Sequence, residues 1–182
     1  LGFWTTILPS SFDPQRHRTS GSRAYERDGW LSACLLILLG AVVLLPGIAS
    51  IPVVDRDEAR FAQASRQMLE SGTLEGWTIP MVGERPRLNK PPLIYWAQAS
   101  VAAIATGADA TEDAIWMYRI PSVIAALLTI LIVWRIGVSM FGGPTGLLAG
   151  AFMALSPLMV FDAHMARSDQ MLLTFTTAAM GV

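Results

Sequence analysis

Apolar residues gather along this chain into four blocks, 31–51, 120–134, 145–161 and 171–182, and none of them contains Asp, Glu, Lys or Arg. A bilayer core takes roughly 20 apolar residues in helical form. The first block has that length. The second reaches it with the flanks 116–117 and 136–141, provided that Arg135 snorkels to the interface. The third is shorter, and the fourth runs to the end of the chain. The pattern predicts an all-α, polytopic membrane protein with about four transmembrane helices, at 31–51, 117–140, 145–161 and 170–182, the last incomplete. Pro121 is expected to kink or open the second span. Val182 lies inside an apolar run and Leu1 stands where Met is usual, so the chain is expected to be a piece of a longer protein.

The long stretch between the first two spans, 53–115, carries its own helix signals. Asp55 followed by Glu58 fits a capping box, and Gly72 fits the residue just past a helix end. Phe61, Ala64, Ser65, Met68 and Leu69 share one narrow apolar face at helical spacing. Residues 74–86 hold Gly76, Pro80, Gly83 and Pro86 and read as irregular chain or short strand. Pro91 and Pro92 suit a helix start, and residues 93–106 are apolar nearly all round before Gly107. Both segments are too short to span, which predicts two membrane-parallel helices lying on the membrane or against the spans. Thr111 with Glu112 and Asp113 predicts the next helix start.

Charge orients these elements. Residues 1–30 are polar and contain Arg16, Arg18, Arg23 and Arg27, the pattern of a flexible cytoplasmic tail ahead of the membrane domain 31–182. The stretch 53–115 is then an extracytoplasmic loop, 141–144 an inner turn and 162–170 an outer one. In an alternative reading 31–49 is a signal peptide ending in Gly47-Ile-Ala49; against it, the preceding segment is long for such a leader and further spans follow. With the tail inside, Asp55, Asp57, Glu58, Asp162 and Asp169 share one membrane face. Charged residues make up 15% of the chain, against about 25% in soluble domains. The net charge of −1 points to no nucleic acid partner. The single cysteine, Cys34, permits no disulfide within the chain.

The candidate chemistry lies on that face. Asp57 and Glu58 follow the first span closely, either as helix-capping and solvated residues or as a carboxylate base at the bilayer surface. Capping leaves Asp57 without a structural task. Lys90, with Arg85 and Arg87 upstream and prolines beside it, reads either as an ordinary basic loop or as a phosphate ligand at headgroup depth. Asp162, His164, Arg167 and Asp169 crowd the turn before the last span. A histidine there is more often solvated than a ligand. The spacing matches no strong metal pattern, so no cofactor is expected and a divalent metal is only an option. Asp169 also suits a helix N-terminus.

Read in order, Arg56-Asp-Glu-Ala-Arg60, Met68-Leu-Glu-Ser-Gly72, Asn89-Lys-Pro-Pro-Leu-Ile-Tyr-Trp96, Arg119-Ile-Pro-Ser122 and Ala166-Arg-Ser-Asp169 resemble the bacterial aminoarabinose transferase / protein O-mannosyltransferase-like membrane glycosyltransferases of GT-C architecture. The resemblance covers roughly 45–182. It implies a polyprenyl-phosphate sugar donor, an inverting transfer to a lipid, protein or glycan acceptor, and a place in the bacterial inner membrane with the active site on the extracytoplasmic side. It matches Asp57 to the acidic residue of the family's first-loop motif, Lys90 to its donor-phosphate lysine, and Asp169 to the acidic position opening the fourth span. Arg60, Glu58, Arg85 and Arg167 are expected to bind substrate around them. The family's periplasmic carboxy-terminal domain is not in this chain, and the piece alone is expected to be inactive. Two rivals stand beside this reading. A transporter would carry charges inside its spans, and a non-catalytic membrane scaffold would need no lysine at a proline-stiffened headgroup site.

Overall fold

The structure is a computed structural model that describes residues 14–181, with side chains described from residue 29 onward. The protein is almost wholly helical. Helix α1 runs Pro14–Leu44, α2 Arg56–Ser71, α3 Leu74–Thr78, α4 Leu93–Thr106, α5 Ile115–Phe141, α6 Gly143–Ala154, α7 Pro157–Ala163 and α8 Asp169–Met180. A hairpin of β1 (Met81–Val82) and β2 (Arg85–Pro86) and a 3₁₀ turn at Ala110–Glu112 complete it.

Proline sets several helix limits, and two expected spans change shape as a result. The expected span 31–51 ends as helix at Leu44, because Pro46 has no N–H to give and constrains Leu45. Residues 45–51 form turns instead, with Gly47 at φ +88°. The apolar part of α1, Gly29–Leu44, is therefore shorter than expected. At its other end α1 begins at Pro14, so helix occupies much of the segment expected as a flexible tail; residues 1–13 lie outside the described residues. The expected span 145–161 is a bent pair, α6 and α7 meeting at 56°. Pro157 pushes Ser156 into extended backbone (φ −63°, ψ 123°), which breaks the helix there. Pro121, by contrast, lies within α5 near its start. Among the described residues α5 is the one helix long and apolar enough to cross a membrane, and the α6–α7 pair is a second if it counts as one span.

Residues 53–115 fold much as their punctuation predicts. The Asp55 side chain accepts from the Asp57 N–H at 3.1 Å and caps α2, and Gly72 ends it at φ +58°. The predicted apolar face of α2 is buried, with Glu58 added to it. Helix α4 buries Ile94, Tyr95, Gln98, Ala99 and Ala102. The two faces meet: Phe61 and Tyr95 stack with centroids 5.3 Å apart, and the Ser65 hydroxyl donates to Gln98 Oε1 at 2.7 Å. These helices thus pack on each other, and α4 packs also on α5. Thr111 does not cap the next helix. It donates to Asp109 from both backbone and side chain, holding that carboxyl below its usual range, and α5 starts only at Ile115.

The larger core lies among α1, α5, α6 and α7, around Leu36, Leu44, Val123, Ala126, Ile130, Ala154 and Met159. Helices α5 and α6 approach backbone to backbone. A Cβ on Gly137 would sit 2.8 Å from Gly146 Cα, and one on Gly146 would sit 2.6 Å from Val138 N. Facing outward are Leu38, Val42, Leu128, Phe152, Leu172 and Phe175, apolar and exposed, as suits a bilayer or further helices rather than water.

A buried ion pair joins α2 to α5. The capping-box role expected of Glu58 is not what the structure shows. Glu58 turns inward and pairs with Arg119, one turn into α5, and both side chains are fully buried. Arg119 Nε donates to Glu58 Oε1 at 2.7 Å and Nη2 to Oε2 at 3.2 Å. Nη1 donates to the carbonyls of Ile48 and Ile51, each at 2.8 Å. The Ala166 N–H donates to Glu58 Oε1 at 3.1 Å. Removing one partner leaves an uncompensated buried charge, a cost of about 3–5 kcal/mol. Arg119→Met is therefore expected to lower the thermal stability of the detergent-solubilised full-length protein sharply. The double variant Glu58→Met/Arg119→Met should lose much less than the two single losses combined. Additive losses in a thermal-shift assay would mean that the two side chains do not act as a pair.

Candidate functional site

The candidate residues gather where the 45–51 turn, the start of α2, the loop before α4 and the start of α8 come together. Burying Glu58 turns Asp57 outward, because neighbours on a helix point about 100° apart. The Asp57 side chain is 58% exposed and loosely paired, with Arg60 Nη1 at 3.6 Å and Arg87 Nη2 at 3.8 Å. Both distances are too long for a direct hydrogen bond. Its oxygens thus have no ion partner within hydrogen-bond distance.

Besides Arg60, Arg87 also reaches Asp57, while Arg85, expected as a substrate contact, makes no ion pair among those of the described residues. Arg85 is exposed on β2. Arg87 folds back, its Nε donating to the Tyr95 hydroxyl at 3.0 Å and its guanidinium lying 5.0 Å over the Phe61 ring.

Arg167 organises the other carboxylates. Its Nη1 donates to Asp55 at 2.9 Å and its Nη2 to Asp162 at 2.9 Å, while Nε lies 3.6 Å from Asp169. Asp57 and Asp169 are thereby linked through Asp55 and Arg167. Asp169 opens α8 and is half-exposed. His164 is not solvated as expected; it is buried, with its ring nitrogens 2.7 Å from the Val160 carbonyl and 2.8 Å from that of Pro46. Among the described residues no cluster of three or more His, Cys, Asp or Glu is placed to hold a metal.

Lys90 is exposed and lies at the rim of an apolar slot. The slot encloses about 220 Å³ between the start of α4 and the first turns of α8, where Lys90 and Ser168 meet Leu93, Met171, Leu172 and Phe175. A second apolar cavity, about 280 Å³, shares Leu93, Met171 and Phe175 with it and continues along α5 to Ile124 and Leu128. Among the described residues Lys90 forms no ion pair. A cation at the mouth of an apolar groove can hold an anionic headgroup while an attached apolar tail stays dry.

Sequence reasoning missed three contributors. Arg119 offered a signal: a charge just inside an apolar helix must find a partner. Arg87 lay in the basic segment but could not be ranked against Arg85 by spacing. Ser122 stands in the quoted Arg119-Ile-Pro-Ser122 motif, but its hydroxyl donates to the Met165 carbonyl at 2.8 Å, 43 residues away in sequence, a contact that no local spacing signals.

Residues 89–181, from the loop bearing Lys90 to the end of α8, match the family model for dolichyl-phosphate-mannose-protein mannosyltransferase. An undecaprenyl phosphate-alpha-4-amino-4-deoxy-L-arabinose arabinosyl transferase from Edwardsiella ictaluri is 28% identical over 153 residues, covering 84% of this chain and 26% of that protein. A second protein of that name, from Pseudomonas fluorescens, is 29% identical over 159 residues, covering 78% of this chain and 26% of its own length. No solved structure matches. The chain spans about a quarter of the length of these curated relatives. With just over half of its residues matched, from the Lys90 loop through α5 to the Asp169 helix, the chain belongs to the dolichyl-phosphate-mannose-protein mannosyltransferase family of membrane glycosyltransferases.

Proposed function

We propose that this chain supplies the front part of a glycosyltransferase that moves a sugar from a polyprenyl phosphate to an acceptor hydroxyl with inversion. The observation that carries the proposal is Lys90 at the mouth of the apolar slot, beside the start of α8. The names of the curated relatives describe an undecaprenyl phosphate donor, which is the amphiphile such a slot suits. In the reaction Asp57 takes the acceptor hydroxyl proton and the acceptor oxygen attacks the anomeric carbon. The bond from that carbon to the phosphate oxygen breaks, and the polyprenyl phosphate leaves with the electron pair. Lys90 neutralises the charge developing on the phosphate. Asp169, sharing Arg167 with Asp55, orients the acceptor. Arg60 serves as a nearby substrate contact, and Arg85 is the weaker candidate because it is exposed on β2. Glu58 and Arg167 act by holding the site together. No metal is required by this scheme. A lipid, a protein or a glycan remains the acceptor class.

The proposal places the chain in the bacterial inner membrane as a multi-pass domain of about four spans, with α1, α5, α6–α7 and α8 crossing and the α2–α4 pair lying along the outer surface. The amino terminus is then inside and the site extracytoplasmic. A transporter is disfavoured by Arg119: the charge in α5 is fully buried on Glu58 and lines no pathway.

Sidedness has a direct check in full-length protein carrying Cys34→Ser. With an impermeant thiol reagent on intact cells, Thr73→Cys should label and Gly143→Cys should not. The reverse pattern would remove the shared outer face. For the phosphate role, Lys90→Ala in the full-length enzyme should weaken donor use about ten- to hundredfold, the range of a lost charged hydrogen bond, and Lys90→Arg should keep part of it. An unchanged donor KM and turnover in Lys90→Ala would rule that role out. For the base, Asp57→Asn should cost at least about 100-fold in turnover with little change in stability, since Asn keeps the shape. Asp169→Asn should also slow turnover, and the double variant should be far from additive. Near-normal turnover by a stable Asp57→Asn enzyme, measured with purified lipid-linked donor, would leave Asp57 a solvated helix residue.

A further inference from the structure

We infer that Arg87 is a positioning residue that sets where the Asp57 carboxylate stands relative to the α2–α4 contact; this rests on the proposed base role of Asp57. Arg87 has a 12% exposed side chain, while Asp57 is 58% exposed and Arg60 39%. Arg60 rides on the same helix as Asp57 and moves with it. Arg87 comes from outside that helix and is held on three sides. Its N–H donates to the Pro80 carbonyl at 2.7 Å, its Nε donates to the Tyr95 hydroxyl at 3.0 Å, and its guanidinium covers the Phe61 ring at 5.0 Å. Phe61 and Tyr95 are core residues of α2 and α4, 3% and 0% exposed, stacked on each other. The Arg87 head is therefore referenced to the rigid contact between those helices.

From that anchor Nη2 stands 3.8 Å from Asp57 Oδ1. The separation attracts and orients the carboxylate without occupying its lone pairs, so the base stays open to a substrate proton. Lys90 follows three residues later in the same proline-stiffened segment. One short stretch of chain thus locates both the charge that aims the base and the charge that meets the leaving phosphate. Arg85, exposed on β2, does not have this anchoring.

Steady-state kinetics of the full-length enzyme with purified lipid-linked donor test the assignment. Arg87→Met should lower kcat about tenfold, because small misplacements of a catalytic group cost rate rather than binding, and should leave the donor KM within about twofold. Arg87→Lys, which keeps the charge over Phe61, should recover part of kcat. Tyr95→Phe, which keeps the stacked ring but removes the Nε acceptor, should lose kcat in the same direction by a smaller factor. On top of Asp57→Asn, Arg87→Met should add almost nothing. A large rise in donor KM at unchanged kcat, or a full tenfold loss persisting in the Asp57→Asn background, would overturn the inference while leaving the base intact. Normal turnover by Asp57→Asn itself would instead remove the base and the reading on which Arg87 depends.

Discussion

The end of the bundle where α2, the 45–51 turn and the start of α5 meet depends on a carboxylate and a guanidinium with no access to water. Taking two charges into a low-dielectric interior costs several kcal/mol per ion, and their attraction offsets this only when the remaining donors and acceptors are also satisfied. Glu58 and Arg119 meet that condition through their own two contacts, two carbonyls of the 45–51 turn and the Ala166 N–H. Three stretches far apart in sequence, 48–58, the start of α5 and the turn at Ala166, are thereby held at one point. The same contact decides which neighbour faces outward. With Glu58 pointed into the core, the helical advance of about 100° per residue leaves Asp57 on the exposed side. The inert carboxylate and the candidate base are consecutive residues, separated in role by orientation alone.

A second constraint is the separation of opposite charges. Asp55, Asp162 and Asp169 converge on Arg167, and Asp57 has two arginines at longer range. Lys90 stands apart from these pairs at the rim of the apolar slot. Glycosyl transfer from a phosphate needs both a free carboxylate and a free cation. A direct Asp57–Lys90 pair would satisfy each with the other and leave neither for substrate. Arg167 absorbs the nearby negative charge, and the anchored Arg87 approaches Asp57 without closing on it. The 45–51 turn is tied down twice more, by Arg119 on the Ile48 and Ile51 carbonyls and by His164 on that of Pro46.

Much of this was legible in the residues. The α2 face, its Asp55 cap and its Gly72 end follow from local rules that act within one or two turns, as does the start of α8 at Asp169. The proline breaks were legible in kind but not in consequence: Pro46 and Pro157 lie inside apolar runs, and hydropathy counts a run whether or not its backbone can stay helical. Glu58 was read as a capping residue because its partner Arg119 is 61 residues away in sequence, and a capping box and a buried ion pair present the same Asp-x-x-Glu spacing. His164 was misjudged for the same reason, since its acceptor on Pro46 is 118 residues away. Arg85 and Arg87 differ only in which face of a short hairpin exit they occupy, and that depends on the Phe61–Tyr95 stack. Local periodicity found the elements. Long-range polar pairing, which has no period, decided which charges were structural.

The apolar slot adds the last step. It lies between the start of α4 and the first turns of α8, and its lining continues into the cavity along α5. Its walls, Leu93, Met171 and Phe175, belong to both cavities, so the path is apolar from the lysine inward. In the proposed reaction a donor with a long hydrocarbon tail would use this slot. On that reading the tail stays in the hydrocarbon and only the phosphate comes to Lys90. On the proposed reading the acceptor meets Asp57 on the exposed face of α2, and the two substrates approach from different media. That reading puts the site at the membrane surface, where a lipid-held phosphate and a water-facing carboxylate can both be reached. The buried Glu58–Arg119 pair ties α2, and with it Asp57, to the start of α5.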